Sequence, residues 1–222
     1  MISWVPFLIT LKLAFITTLI LFVISIPISY WLTYSKFRFK FFFEAIVSLP
    51  LVLPPSVLGF YLLVTFSSQS PVGKFLLDNF DVSLPFTFLG LVIGSVIYSL
   101  PFMVQPMQSG FQNLPIALKE ASYTLGKSRF QTLIKVLLPN IKASLLTGIV
   151  LSFAHTIGEF GVVLMMGGNL DETRVASIAI YDSVNKLDYG TAHTYSLILL
   201  VFSFAILTAV YLFNKRGFKA VK

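Results

Sequence analysis

Long apolar segments dominate this chain and restrict what it can fold into. An α-helix needs about 20 apolar residues to cross a bilayer core. Five segments reach that length, at about residues 13–34, 45–66, 86–107, 143–166 and 192–213. Only 11% of the residues are charged, against about 25% in an ordinary soluble domain. We therefore predict an all-α integral membrane protein, with residues 1–222 forming one transmembrane domain of five spans.

Loop charges predict the orientation of these spans. Twelve of the 16 Lys and Arg residues fall in one set of loops, within 36–40, 119–142 and 215–222. The other set holds only Lys74, Arg174 and Lys186. Cytoplasmic loops carry the excess of Lys and Arg, so we expect the N-terminus outside and the C-terminus in the cytoplasm. The net charge of +7 is then a consequence of topology, and we expect no nucleic-acid partner.

The loop at 113–142 carries a spaced motif. Glu120-Ala121-Ser122 is followed after three residues by Gly126 and, further on, by Val-Leu-Leu-Pro ending at Pro139. We predict a helix over 116–125, closed by Gly126 in the left-handed conformation, and a second, amphipathic helix that Pro139 ends. The small Ala121 and Ser122 would let another surface approach closely.

This motif resembles the EAA motif of ABC importer permeases. The resemblance implies that the segment is a coupling helix that docks on a separate ATPase, through Glu120, Ala121, Ser122, Gly126 and Pro139. Gly126-Lys127-Ser128 also looks like the end of a P-loop, but the required glycine five residues earlier is an alanine. We therefore expect no catalytic, cofactor or metal site on this chain, with MgATP bound and hydrolysed by the partner.

Further segments resemble the molybdate transporter permeases, at 49–61, 98–106, 151–161 and 177–182. The resemblance implies a type I ABC importer permease working as a homodimer in the plasma (inner) membrane of a prokaryote. It also implies two copies of an ATPase subunit and an extracytoplasmic molybdate-binding protein. Sulfate/thiosulfate permeases are close relatives, and tungstate has the shape and charge of molybdate, so the residues leave the cargo open.

The spans contain residues that suggest a pathway. The candidates for the pathway or gate are Pro54, Pro55, Ser56, Thr156 and Glu159. Pro50, Pro54 and Pro55 should interrupt the second span, and irregular backbone at membrane depth is tolerated where it lines a cavity or is buried in protein. Lining and simple packing are equally good interpretations. We also expect Pro27, Pro101 and Pro106 to kink or break their helices.

Glu159 is an intramembrane carboxylate, which is by default a functional feature. A carboxylate would repel an anionic cargo, so we favour a structural or gating role over substrate contact. We expect its partners to be Lys12, Thr156 or backbone donors.

Two other classes of protein compete with an ABC permease: a secondary anion transporter, which would need paired ionisable groups within the spans, and a membrane scaffold. The loop at 167–191 is too polar to span, and we predict a short amphipathic helix there.

Overall fold

A computed structural model describes the backbone of residues 3–219 and the side chains of residues 3–208. That part of the chain is helical and contains no strand. The α-helices are α1 (Val5–Tyr34), α2 (Lys40–Ser48), α3 (Pro55–Phe66), α4 (Pro71–Phe80), α5 (Phe88–Gln112), α6 (Ile116–Thr124), α7 (Arg129–Thr132), α8 (Leu138–Asn140), α9 (Lys142–Gly158), α10 (Gly161–Gly167), α11 (Ala176–Asn185) and α12 (Tyr189–Lys219). A 3₁₀ turn (Leu49–Leu51) follows α2, and a π-helical turn (Leu133–Leu137) joins α7 to α8.

Three helices are long and apolar enough to cross a membrane unbroken: α1, α5 and the Tyr189–Thr208 part of α12. Two further pairs reach that length only as bent units. The chain bends by 110° between the helices on either side of the break before Pro55. It bends by 78° between the helices on either side of Ile141. The count is therefore three spans, or up to five if each bent pair is one span. Of the basic C-terminal residues used for orientation, Lys222 lies outside the described part of the chain.

The second and fourth predicted spans are interrupted. The segment at 45–66 runs through α2 and the 3₁₀ turn, and α3 begins only at Pro55. Proline lacks an N–H and clashes with the preceding turn, which accounts for a break at Pro54-Pro55. The segment at 143–166 breaks at Glu159 and Phe160, between α9 and α10. The prediction of one continuous helix at 143–166 was therefore wrong.

Three other prolines leave their helices uninterrupted. α1 continues through Pro27, and α5 continues through Pro101 and Pro106. Pro101 and Pro106 were expected to break helix hydrogen bonds, and α5 continues in spite of them. Isolated prolines remove one backbone hydrogen bond each, and packing on neighbouring helices can hold the remaining turns in place.

The core runs along α1 and α5, with α9 packed against both and α10 packed against α5 and α3. Its middle is built from Leu13, Leu91, Val162 and Met166, all at most 1% exposed. Small residues allow these close approaches: a Cβ on Gly94 would lie 3.1 Å from Val162 Cγ1. The buried clusters thus fix α10, and with it the break before α10, against the centre of α5.

The predicted amphipathic helix of the 167–191 loop is α11. Its Ile178 and Ala179 are fully buried, whereas Tyr181 and Val184 are exposed. The Ala176 backbone N–H donates to Thr10 Oγ1 across 2.9 Å, which ties the start of α11 to α1. α11 is therefore held against α1 near the end of α1 that begins at Val5.

Candidate functional site

Two helix breaks meet in the middle of the fold. α3 begins at Pro55 and α10 begins at Gly161, each directly after its break. A Cβ on Gly161 would lie 2.7 Å from Pro55 Cβ and 3.0 Å from Ser56 N. Those separations are shorter than the ~3.5–4.0 Å of favourable carbon contacts. The missing side chain of Gly161 is therefore what lets the two broken backbones touch.

A cavity of about 550 Å³ opens beside this contact. Its polar walls come from Ser56, Tyr98, His155 and Glu159, and its remaining walls are apolar or glycine. Among residues 3–208, whose side chains are described, no Lys or Arg lines it. Hydroxyl, imidazole and carboxyl groups without a fixed cation can let a small polar solute pass, but they do not form a strong binding site for an anion.

Glu159 lies in the wall of this cavity and is only 3% exposed. Among the described residues, neither carboxylate oxygen makes a hydrogen bond of ordinary geometry, although the buried and likewise unpaired Ser95 hydroxyl on α5 lies close enough to act as a donor. The expected partners are engaged elsewhere: Lys12 Nζ lies over the Phe88 ring, 4.5 Å from its centroid, and the Thr156 hydroxyl donates to the Ser152 carbonyl across 2.9 Å. The expectation that Lys12 or Thr156 satisfies this carboxylate was wrong for the conformation described.

A small polar cluster supports His155, which lies in the cavity wall one helical turn before Glu159. Ser99 Oγ lies 2.9 Å from His155 Nδ1 and 3.2 Å from Thr156 Oγ1. The His155 ring stacks on Phe102 with centroids 4.0 Å apart. Thr156 is buried behind the wall, and Pro54 caps α3 outside the lining. Of the five predicted pathway residues, the cavity therefore brings together Pro55, Ser56 and Glu159.

α11 contacts the break between α9 and α10 directly. The Ser177 hydroxyl donates to the Glu159 carbonyl across 2.7 Å. The Phe160 and Tyr181 rings lie 5.0 Å apart, within the range of favourable aromatic pairs. A displacement of α11 would therefore be transmitted to the backbone of the break and to the cavity wall.

An ion-paired network holds the exposed side of α11. Asp182 Oδ2 lies 2.8 Å from Lys186 Nζ and 2.6 Å from Arg174 Nη2. The hydrogen bond from Lys186, with the positive charge of Arg174, holds the pKa of Asp182 below its usual value. The ionised carboxylate is thus favoured, and it links the loop before α11 to the last turn of α11.

The predicted docking segment forms a helical hairpin over residues 116–140. α6 ends in a turn where Gly126 has a φ of +76°, a left-handed conformation that glycine adopts without strain. Ser128 caps α7 in a reciprocal capping box with Gln131. Glu120 and Ala121 are exposed on α6. The sequence therefore predicted both the turn and the residue that makes it.

Ser122 does not face outward. It is 3% exposed, and its hydroxyl lies 2.9 Å from Thr132 Oγ1 of α7. Its small size serves the packing of α6 on α7, and this is a correction to the expectation that Ser122 lets another protein approach. On α6, Glu120 and Ala121 remain available to a partner surface.

Pro139 does not end the second helix of the hairpin. The helical run continues to Asn140, and the bend falls at Ile141, whose backbone leaves the helical region. Pro139 lies in the first turn of α8, directly after the π-helical turn. Proline is tolerated in a first turn because its missing N–H needs no partner there. The prediction that Pro139 terminates the helix was therefore wrong by two residues.

Three features of the site were not predicted from the sequence: the break at Glu159, the hydrogen bond from Ser177 and the position of Tyr98 in the cavity wall. The break had a signal, because Gly158 and Gly161 flank Glu159 and paired glycines weaken a helix. The other two depend on contacts between helices far apart in sequence, and no local pattern encodes them.

Comparison with known proteins decides the family. Residues 25–219 match the sequence profile of the binding-protein-dependent transport system inner membrane component family. The chain belongs to this family. It is 45% identical to the molybdenum transport system permease protein ModB of Azotobacter vinelandii, over 95% of this chain and 93% of that protein. It is 34% identical to a probable sulfate transport system permease protein CysT of Prototheca wickerhamii, over 93% of this chain and 83% of that protein.

Solved structures agree on the fold. A methionine ABC transporter, MetNI, in an inward-facing conformation has a chain that matches with a TM-score of 0.72 at 18% identity, covering 95% of this chain and 94% of that chain. A bacterial ABC transporter that imports alginate has one that matches with a TM-score of 0.79 at 18% identity, covering 96% and 78%. The predicted type I ABC importer permease fold is confirmed. As an inner-membrane permease subunit, the chain is a translocation component, and the ATPase is a separate partner, as is a periplasmic binding protein.

Proposed function

We propose that this permease subunit forms the translocation pathway of an ATP-driven molybdate importer. The observation that carries the cargo is the 45% identity to a molybdenum permease, against 34% to a sulfate permease. Tungstate, which has the same tetrahedral shape and charge, is expected to share the path. A sulfate importer is the second candidate, since sulfate permeases also align along more than nine-tenths of this chain.

We further propose that two copies of the chain assemble around the pathway. The cavity at Glu159 is open on one side, and α3 beside it exposes Val57, Phe60, Tyr61 and Val64. A second copy related by a two-fold axis would cover such a face and present a second 116–140 hairpin. The proposed complex contains this homodimer, two ATPase subunits that carry MgATP, and one extracytoplasmic molybdate-binding protein.

The geometry suggests how ATP would drive the path. Glu120 and Ala121 dock on the ATPase on the cytoplasmic side, with Gly126 holding the turn. The hairpin joins α9 at the bend near Ile141, and α9 ends at the Glu159 break. Its 17 residues make a lever of about 25 Å at ~1.5 Å per residue. Movement of the hairpin would thus reach the cavity wall through one rigid helix.

Glu159 is proposed as a gating residue. The described conformation leaves both of its carboxylate oxygens without donors. An unsatisfied buried polar group costs about 1–3 kcal/mol or more, so a second conformation that supplies donors would be favoured by a similar amount. The buried, unpaired hydroxyl of Ser95 beside Glu159 could serve with a small shift, and Ser56 and Tyr98 in the same cavity wall carry further hydroxyl groups.

Reconstitution tests the cargo. The permease, its cognate ATPase and its binding protein are placed in proteoliposomes, and uptake and ATP hydrolysis are measured with molybdate, tungstate or sulfate loaded on the binding protein. Stimulation by molybdate and tungstate but not sulfate is the expected result. Stimulation by sulfate alone would establish the second candidate, and no stimulation by any of the three would refute an oxyanion importer.

Two variants test the proposed roles in the same vesicles. Gly126→Pro cannot adopt a positive φ and should uncouple ATP hydrolysis from uptake while the protein still inserts. Glu159→Gln keeps the shape of the side chain and should change the ratio of stimulated to basal ATP hydrolysis severalfold. Glu172→Gln, on an exposed loop residue, is the matched control. Normal coupling in Gly126→Pro or in Glu159→Gln would remove the corresponding role.

A further inference from the structure

A second polar cavity lies between α1 and the 116–140 hairpin. Its volume is about 320 Å³, and it is separate from the cavity at Glu159. Two cationic side chains and four aromatic side chains form most of its lining: Lys119, Arg129, Tyr30, Trp31, Tyr34 and Tyr123. Nothing in the proposed transport path uses this cavity, although it contacts the hairpin that is proposed to dock on the ATPase.

The charge in this cavity is not balanced by the protein. Lys119 Nζ lies 3.9 Å from the centroid of the Tyr34 ring and 5.6 Å from that of Tyr30. The three ion pairs formed among the described side chains involve neither Lys119 nor Arg129. The lining contains no Asp or Glu. Two cations that share a pocket repel each other unless an anion lies between them.

The donors suit a tetrahedral oxyanion. Arg129 offers a planar set of N–H groups that can bind two oxygens at once, and Lys119 adds a point charge. The hydroxyls of Tyr30 and Tyr123 hydrogen-bond each other, which leaves one O–H of the pair as a further donor on the wall. Phosphate groups are bound in proteins by this combination of Arg, Lys and hydroxyl side chains. The shared chemistry is thus that of a phosphate, whether on a lipid headgroup or free in solution.

Surrounding residues place the cavity at the level of lipid headgroups. α1 ends at Tyr34, and basic residues follow at once in the 36–40 segment. Trp31 is 39% exposed and packs edge-on against Phe43, with ring centroids 5.2 Å apart. Phe41 and Phe42 on the following helix are more than half exposed. Trp and Tyr beside Lys and Arg at the end of an apolar span mark a membrane–water interface.

We propose that this cavity binds the phosphate of an anionic phospholipid headgroup and thereby ties the 116–140 hairpin to α1. One oxyanion would contact Lys119 on α6 and Arg129 on α7, both in the hairpin, and Tyr30 on α1, from which the hairpin separates if it is displaced. A ligand that binds one hairpin position better than another shifts the population towards it. This regulatory consequence rests on the proposed docking role of the hairpin, whereas the binding itself does not.

Lipid binding is measured on the full chain in nanodiscs of phosphatidylcholine, with fluorescent phosphatidylglycerol as the probe. Lys119→Gln combined with Arg129→Gln should weaken binding about tenfold or more. Lys135→Gln combined with Lys142→Gln removes the same charge from exposed positions outside the cavity, and should change binding less than twofold. The single variant Lys119→Arg, with Arg129 unchanged, keeps the charge and should bind the lipid probe as the native protein does.

The outcomes separate the sources of the oxyanion. Equal weakening in both double variants would mean general attraction between charges and would overturn the site. If inorganic phosphate or molybdate protects the protein from thermal unfolding in phosphatidylcholine discs through Lys119 and Arg129, while phosphatidylglycerol does not, the lipid assignment is wrong. Unchanged unfolding temperatures of the variants in lipid without phosphatidylglycerol show that folding is intact. These measurements need neither ATP nor transport, so failure of the proposed transport function would not affect them.

Discussion

The contact between the two helix breaks provides a sharp test of the described packing. Gly161 and Gly158 flank the same break, at Glu159 and Phe160, but their surroundings differ. A Cβ on Gly161 would lie 2.7 Å from Pro55 Cβ, whereas a Cβ on Gly158 would have no atom within 4 Å. The substitutions Gly161→Ala and Gly158→Ala therefore add the same methyl group to a tight place and to an open one.

The magnitude follows from the geometry. To reach ordinary contact at ~3.5 Å or more, the methyl group on residue 161 must move the two breaks apart by nearly an ångström. Its neighbours are a proline ring and the Ser56 backbone nitrogen, which cannot rotate away. Overpacking of this kind costs about 1–3 kcal/mol. At residue 158, alanine strengthens the end of α9 and stabilises by up to ~1 kcal/mol.

The assay is thermal unfolding of the purified permease in one detergent at one scan rate, followed by the loss of helical circular dichroism. A protein of 150–250 residues shifts by about 2–4 °C per kcal/mol. We expect Gly161→Ala to unfold about 2–12 °C below the native protein and Gly158→Ala to unfold at or above its temperature. Equal unfolding temperatures for the two variants would refute the contact between Pro55 and Gly161, and with it the described joining of the two breaks.

Three further predictions use the same measurement. Ser122→Ala removes the partner of the buried Thr132 hydroxyl and should cost about 1–3 kcal/mol, and adding Thr132→Val should recover most of that loss. Ser177→Ala should cost about 0.5–1.5 kcal/mol, because the Glu159 carbonyl loses its hydrogen bond. Asp182→Asn should destabilise the protein at neutral pH. Because the folded pKa of Asp182 is lowered, its stabilisation is present above the usual value of 3.8 and is lost as the pH falls through the folded pKa.

Matched controls accompany these variants. Ser196→Ala changes an exposed serine on α12, and Asp171→Asn changes an exposed acid that forms none of the ion pairs seen among the described side chains. Both controls should leave the unfolding temperature within about 2 °C, because surface substitutions seldom exceed ~0.5 kcal/mol. A double variant of Ser122 and Thr132 no more stable than the single variant would contradict their pairing. A loss in Asp182→Asn that persists at the lowest pH would show that packing, not charge, is responsible.

Particular residues show how far the sequence reaches. Gly126 was predicted to close α6 in the left-handed conformation, and it has a φ of +76°. That prediction depends on one residue type and its neighbours, so local sequence suffices. Ser122 was predicted from the same motif to face a partner surface. Its hydroxyl instead faces that of Thr132, ten residues later in the chain. The face that a short helix turns inward is set by what it packs on, and the motif spacing does not contain that.

The prolines and Glu159 show the same difference, inside the bundle, between what local sequence predicts and what helix packing decides. Pro54-Pro55 breaks the second predicted span, but Pro27, Pro101 and Pro106 lie in uninterrupted helices. Whether a proline ends a helix depends on what neighbouring helices supply to hold the turns on either side. Lys12 was an expected partner of Glu159. Its Nζ lies over the Phe88 ring instead, because the packing of α1 directs Lys12 towards α5.

The sequence by itself determined that this protein lies in a lipid bilayer, that it is an all-α membrane protein and to which family it belongs. Apolar length, scarce charge and the spaced 120–139 motif are properties of the chain read in order, and burial in lipid follows from them directly. The tertiary structure decided where the helices break against each other, which hydroxyls face which carbonyls, and that Lys119 and Arg129 share a cavity with tyrosines of α1. Those features arise from residues far apart in the chain, and only the packing of whole helices fixes which of them meet.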